Sequence, residues 1–272
     1  MAGIGAPPWN RRVLSALPAC AALTPALARL REDRFPDLDE LNQLCAERAI
    51  VSGGGLPLRF VEQPARADRA YEAQAYLRGE VWTRSENWHD LFNALVWISF
   101  PLAKAEINRR HYRELQARGE EGTRGTPRDV LTLFDESGAI VACAEPELAA
   151  LLRARAWKEL FWERRADLMR SMRVHVFGHA ICEKALRPYK GITAKTVIFD
   201  VRAEDLLLPL PQQIAQLDAR LARHFSAQHA LVAGANYAPL PLLGLPGWTA
   251  DNEEARYYDD VQHFRPARTA TG

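Results

Sequence analysis

Apolar residues recur at helical spacing over residues 36–50, where Leu38, Leu41, Leu44 and Cys45 share one side. Asp37 stands as the N-cap of that helix, and Glu40 follows three residues later. The Gly53-Gly54-Gly55 run stops it, and residues 56–61 then read as a short edge strand, with Pro57 marking the edge. Residues 68–78 are again helical in pattern. A long helix opens at the N-cap Asn87, carries Asp90 in its first turn and runs to about residue 118 with a bend at Pro101. Residues 119–127 form a loop bearing glycine and threonine. Residues 129–134 and 139–143 are apolar and partly β-branched, so they are expected to pair as a hairpin turned by Asp135-Glu136-Ser137-Gly138. Helices are expected over 146–172, with a break, and over 178–186, with a strand at 173–177 between them. A strand at 196–201 and a helix at 211–225 follow, and from residue 238 the chain is a Pro-, Gly- and aromatic-rich wrapping segment.

Few strands, no strict alternation with helices and no internal repeat predict an α+β fold: a helix-dominated single domain with a small antiparallel sheet and a wrapping C-terminal tail. The expected organisation is an N-terminal arm at 1–35, one domain at 36–266 and a disordered tail at 267–272. Of the 272 residues 48% are hydrophobic and 25% charged, which excludes a disordered, collagenous or coiled-coil chain. Thirty-five Lys and Arg against thirty-four Asp and Glu leave +1, so nothing draws the whole molecule to nucleic acid or to an anionic membrane. Cys20, Cys45, Cys143 and Cys182 form no CxxC pair, which fits neither a zinc ribbon nor a disulfide scaffold and points to a reduced compartment. The richest apolar stretch, 91–103, falls short of the roughly 20 residues that cross a bilayer. Residues 13–28 mimic a secretory signal, but Pro18 and Pro25 interrupt them and charged chain follows directly, so a cytoplasmic location is expected.

At about 100° per residue, His89, Asn93, Trp97, Lys104, Asn108 and His111 fall on one stripe of the long helix. One reading makes this the wet face of an amphipathic helix. The other makes it the wall of a polar pocket, since Asp90 is the only charge between Trp88 and Ala103, whereas a solvated face carries more. In Gly178-His179-Ala180-Ile181-Cys182-Glu183, His179 and Glu183 stand four residues apart, a spacing that lets imidazole and carboxylate share a metal or a proton, or simply hydrogen bond. The adjacent Asp135 and Glu136 suit Mg²⁺ or general-base work, and equally a plain turn. Arg128-Asp129 reads either as a surface pair or as an anion-binding arginine. In the tail, the aromatic segment either seals the domain or forms a lid, with Tyr257, Asp259 and His263 as its polar contributors. No GxxxxGK[ST], GxGxxG after a strand, GxSxG or HExxH occurs, which sets aside P-loop, Rossmann, α/β-hydrolase and zincin chemistry.

Four separated motifs occur in order: Asn87-Trp88-His89-Asp90-Leu91-Phe92-Asn93-Ala94-Leu95-Val96-Trp97; Leu131-Thr132-Leu133-Phe134-Asp135-Glu136-Ser137-Gly138; Phe177-Gly178-His179-Ala180; and Pro246-Gly247-Trp248 with Tyr258-Asp259-Asp260 and Phe264-Arg265-Pro266. Together they resemble an uncharacterised bacterial family, domain of unknown function 3025, over residues 35–266. The resemblance implies one bacterial domain and carries no activity, catalytic residue or cofactor with it.

The functional expectation therefore rests on side-chain chemistry. It is an enzyme with a divalent-metal or acid-base site of hydrolase type, built from His89, Asp90, His179 and Glu183 with Asp135 and Glu136. His89, His179 and Glu183 are the expected metal ligands, and Asn93, Trp97, Lys104, Arg128, Tyr258 and Asp259 the expected substrate contacts. The alternative is a non-catalytic binding or interaction protein in which the same polar groups are structural. A third reading, nucleic-acid binding through Arg153, Arg155, Lys158, Arg164, Arg165, Arg170 and Arg173, meets Glu159, Glu163 and Asp167 interleaved with those cations, the pattern of a salt-bridged surface. The expected partner is a small molecule or a protein, with no membrane.

Overall fold

The structure, a computed structural model, describes residues 7–66, 70–118, 126–227 and 237–267. The expected loop at 119–127, the start of the helix at 68–78 and the tail at 267–272 fall largely outside those residues. The arm folds into α1 (Arg11–Ala16), a 3₁₀ turn (Pro18–Leu23) and α2 (Thr24–Leu27). It is not loose cover: Leu14, Cys20, Leu23 and Leu27 belong to the continuous core, and the Trp88 indole donates to the Pro7 carbonyl. That burial explains the apolar run that mimics a secretory signal. Next comes α3 (Leu38–Glu47), opened by the Asp37/Glu40 capping box. Then β1 (Arg59–Val61) and β2 (Glu80–Trp82) pair in parallel, with α4 (Tyr71–Arg78) as their crossover.

The expected long helix is two. α5 (Trp88–Ser99) is capped by the Asn87 side chain, which accepts from the Asp90 amide, and α6 (Pro101–Arg118) starts after Phe100 leaves helical geometry. Asp218 accepts from the Leu102 and Ala103 amides, so a carboxylate from a distant helix caps α6. α5 is buried along its length except at His89, which is half-buried.

The hairpin expected at 129–143 is absent. Residues 126–137 form α7 (Thr126–Ser137), and only β3 (Gly138–Cys143) is a strand. Leu131 and Phe134 point inward at i and i+3, whereas Leu133 between them is 44% exposed, a helical and not an alternating phase. Pro127 and Asp129 in the first turn are ordinary helix-start residues. Asp135-Glu136-Ser137 is thus the last turn of a helix.

The chain continues through α8 (Pro146–Ala154), one π turn (Glu159–Glu163), α9 (Arg165–Ser171), β4 (Met172–Val176), α10 (His179–Lys184), β5 (Thr193–Asp200), α11 (Leu210–Ser226) and β6 (Ala238–Pro241). The four-stranded sheet has the order β4-β3-β5-β6. Its outer pairs are antiparallel, but β3 and β5 run parallel, so the sheet is mixed where an antiparallel one was expected. The cause is the connection between β3 and β5, which carries helices and β4 in place of a tight turn. The fold is α+β, dominated by helices. Among the described residues no helix is long and apolar enough to cross a membrane, and Cys20, Cys45, Cys143 and Cys182 are buried free thiols.

Candidate metal centre

Three elements deliver the polar cluster. His89 stands in the first turn of α5, His179 opens α10, and Asp135 and Glu136 close α7. Acidic residues at a helix C-terminus oppose the helix dipole, so this pair needs cations nearby. Lys104 of α6 supplies one: its Nζ lies 2.6 and 2.8 Å from the two Asp135 oxygens and donates to Asn93 Oδ1 at 2.9 Å. Asn93 in turn donates to the Tyr71 hydroxyl at 2.8 Å. Burial works against the Asp135 carboxylate, but Lys104 and then His179 outweigh it and hold its pKa below the usual range. Glu136 lacks such a partner, and burial raises its pKa.

His89 Nε2 and His179 Nε2 face each other at 3.1 Å. Glu136 Oε1 lies 3.7 Å from His179 Nε2, and His89, His179 and Glu136 each offer an atom within 4.8 Å of the others. The opposite nitrogens differ: His89 Nδ1 bonds Glu183 Oε2 at 2.9 Å, whereas His179 Nδ1 is buried without a hydrogen-bond partner, 3.8 Å from Asp135 Oδ2. Burial pushes the His179 pKa down to about 4, with Asp135 opposing and Lys104 and His89 adding, so this ring is a neutral imidazole at neutral pH.

A glycine sets the approach. Phe177 and Gly178 both donate backbone N–H groups to the Gly138 carbonyl. A Cβ on Gly178 would lie 2.5 Å from the Glu136 carbonyl oxygen and 2.6 Å from the Ser137 and Gly138 amides. The two chain segments touch backbone to backbone, which places His179 beside Glu136.

The cluster forms one wall of a cavity of about 430 Å³. The stripe read from the sequence lines it in full: His89, Asn93, Trp97, Lys104, Asn108 and His111. Asp90 also reaches it, but as the partner of Arg84, which gives its carboxylate two side-chain bonds and one backbone bond. Glu183 does not meet His179 one turn away. It binds the far nitrogen of His89, so the third convergent ligand atom comes from Glu136 and not from Glu183 as expected. Arg128 is buried one turn before the cavity-lining Thr132 and forms no pair with Asp129.

Tyr258 and Asp259 stand apart from this cavity, contrary to the expectation. Tyr258 is buried against Phe161 and Phe264, its hydroxyl bonded to the Gly244 and Asn252 carbonyls, and Asp259 pairs with Lys158. The tail was too aromatic to stay in water, and it found its own packing partners around the π turn. His263 lines a different pocket, with Trp157 and Arg265. The cations of 153–173 are largely tied down: Arg164 and Arg170 by Asp167, Arg165 by Glu253. Sequence reasoning missed Tyr71 and the bonding of Arg84 to Asp90. It did not place Glu136 beside the two imidazoles, because the hairpin reading hid the helical face that Arg128, Thr132, Asp135 and Glu136 share.

A family model described as protein of unknown function (DUF3025) matches residues 58–268. The chain belongs to this family. Among curated proteins and among solved structures nothing matches. The DUF3025 match begins after the arm and α3, and it takes in every member of the cluster.

Proposed function

We propose that this protein is a divalent-metal hydrolase whose ion is held by His89 Nε2, His179 Nε2 and a Glu136 oxygen. The observation that supports it is the facing pair of imidazole nitrogens at 3.1 Å, with the His89 ring backed by Glu183 and the Glu136 carboxylate 3.7 Å from His179 Nε2. Glu183 holds a proton on His89 Nδ1 and so turns that ring's Nε2 lone pair inward, while His179 Nδ1, buried and without a hydrogen-bond partner, has the Asp135 carboxylate 3.8 Å away. Two lone pairs aimed at each other repel unless a cation lies between them. The spacing suits a metal, because ligand atoms about 2.0–2.1 Å from a tetrahedral ion stand roughly 3.3 Å apart. His89, His179 and Glu136 would hold the ion at the wall of the cavity, and the ion would supply an acidified water and polarise a substrate carbonyl. Lys104 is spent on holding Asp135, and Asn93 on accepting from Lys104, which fixes the cluster in place.

The 3.1 Å contact also has the length of a shared proton, which gives a second reading: a Glu183–His89–His179 relay for acid-base chemistry without metal. Elemental analysis of protein purified without chelator separates the two. About one equivalent of divalent metal is expected, lost in His179→Ala and Glu136→Ala variants that still melt cooperatively. A metal-free protein that binds neither zinc nor cobalt in calorimetry would leave only the relay.

A further inference from the structure

A second pocket, of about 460 Å³, lies where the end of α8 meets β5, β6 and the tail, and it shares no lining residue with the cavity of the metal centre. Its floor is apolar. Trp157 and Pro241 are buried, and the Trp157 indole is fixed by donating to the Arg265 carbonyl at 2.8 Å. Its rim is basic: half-buried Arg155 and exposed Arg265 both line it, and among the described residues no aspartate or glutamate does.

The neighbouring acids are already taken. Asp259 pairs with Lys158, while Asp260 accepts from Lys190 Nζ at 2.7 Å and meets His263 Nδ1 at 2.9 Å. The Arg155 guanidinium has no hydrogen-bond or ion-pair partner among the described residues, and Arg265 spends only its Nε, on the Gln262 carbonyl. Arg155 also stands in a backbone conformation that disfavours it. It follows α8 with φ 56°, the left-handed geometry that glycine takes at such helix ends. An arginine kept there against the preference of the backbone has a use for its side chain.

We infer that this pocket binds the phosphate group of a small phosphate monoester. Two unmatched guanidiniums balance a dianion, and each planar fork matches a pair of phosphate oxygens. A carboxylate would leave one of the two cations unmatched. His263, held through Nδ1, keeps Nε2 for the ligand. The organic part lies on the wall of Trp157, Pro239 and Pro241, and a volume of about 460 Å³ admits a small molecule. None of the metal-centre residues takes part, so the site holds or fails apart from the hydrolase reading.

The full chain, freed of metal by chelation so that the other cavity offers no ion to phosphate, is titrated calorimetrically at about 0.15 M salt, where exposed charge is screened. The probes are phenyl phosphate, inorganic phosphate, and benzoate, which carries the same ring on a monoanion. Phenyl phosphate is expected to bind saturably with Kd below about 1 mM, at least about tenfold tighter than benzoate and tighter than inorganic phosphate. Arg155→Gly removes the guanidinium and gives the backbone the residue its geometry favours. It is expected to weaken binding at least about tenfold with a melting temperature no lower than that of the wild type. Arg265→Gln, on a separate segment, is expected to weaken binding by a similar factor, and it carries the test should the first variant misfold. No saturable binding of phenyl phosphate, equal affinity for benzoate, or unaltered affinity in a folded variant of either arginine would overturn the site. Inorganic phosphate binding as tightly as phenyl phosphate would overturn the assignment to a monoester.

Discussion

Glu183 touches none of the three convergent ligand atoms, yet it decides which nitrogen of His89 is free. By accepting from Nδ1 at 2.9 Å it fixes the tautomer and the ring plane. Glu183→Gln is accordingly expected to keep the fold and to lower metal affinity by about 10–100-fold, measured by competition with a chromogenic chelator. His89 and His179 stood out in the sequence because each follows a recognisable helix start, and the scarcity of charge on the His89 stripe weighed against its reading as a wet face. The role of Glu183 did not, because a spacing of four residues points to a neighbour on the same helix, while the packing of α10 on α5 turned it to a residue 94 positions away.

At the scale of elements, the break between α5 and α6 matters most for the cavity, since His89 and Asn93 lie before it and Lys104 and His111 after it. Asp218 of α11 holds the start of α6 through the Leu102 and Ala103 amides, from a buried position. Asp218→Ala would leave both donors without their acceptor, and a loss of about 2 kcal/mol in denaturant unfolding is expected. The sequence shows the bend through Pro101 and the first helix through its Asn87 cap, both local signals. It shows nothing of Asp218, because a cap supplied by another helix has no local signature. α7 was misread for a related reason: Val130, Leu131, Thr132 and Phe134 satisfy a strand pattern as well as a helical one over so short a run, and only the burial of one face chose between them.

Across the whole molecule, the arm, the central helices and the sheet share one core, so stability measured anywhere reports on all of it. His175 on β4 is buried, and neither ring nitrogen has a hydrogen-bond partner. Burial lowers its pKa to about 4; the Gln213 side chain offsets part of this and Arg173 adds to it. The unfolded chain takes up this proton near pH 6.5 and the folded one only near 4, so stability is full above 6.5 and is lost as the pH falls through that window, by up to about 3 kcal/mol. His175→Leu is expected to flatten that acid limb, seen as a smaller drop in melting temperature between pH 6.5 and 4.5. The α+β class and the order of most elements were readable from periodicity. The parallel β3–β5 pair was not, since strand direction follows from how distant segments pack.

One position with no side chain governs the geometry of those that have them. Where Gly178 lies against the end of α7, an added methyl would force two backbones apart and carry the imidazole of His179 away from Glu136. The tightest constraint on this hollow is therefore an empty volume one carbon wide. A lineage that filled it would keep every histidine and carboxylate in its sequence and still lose their meeting point.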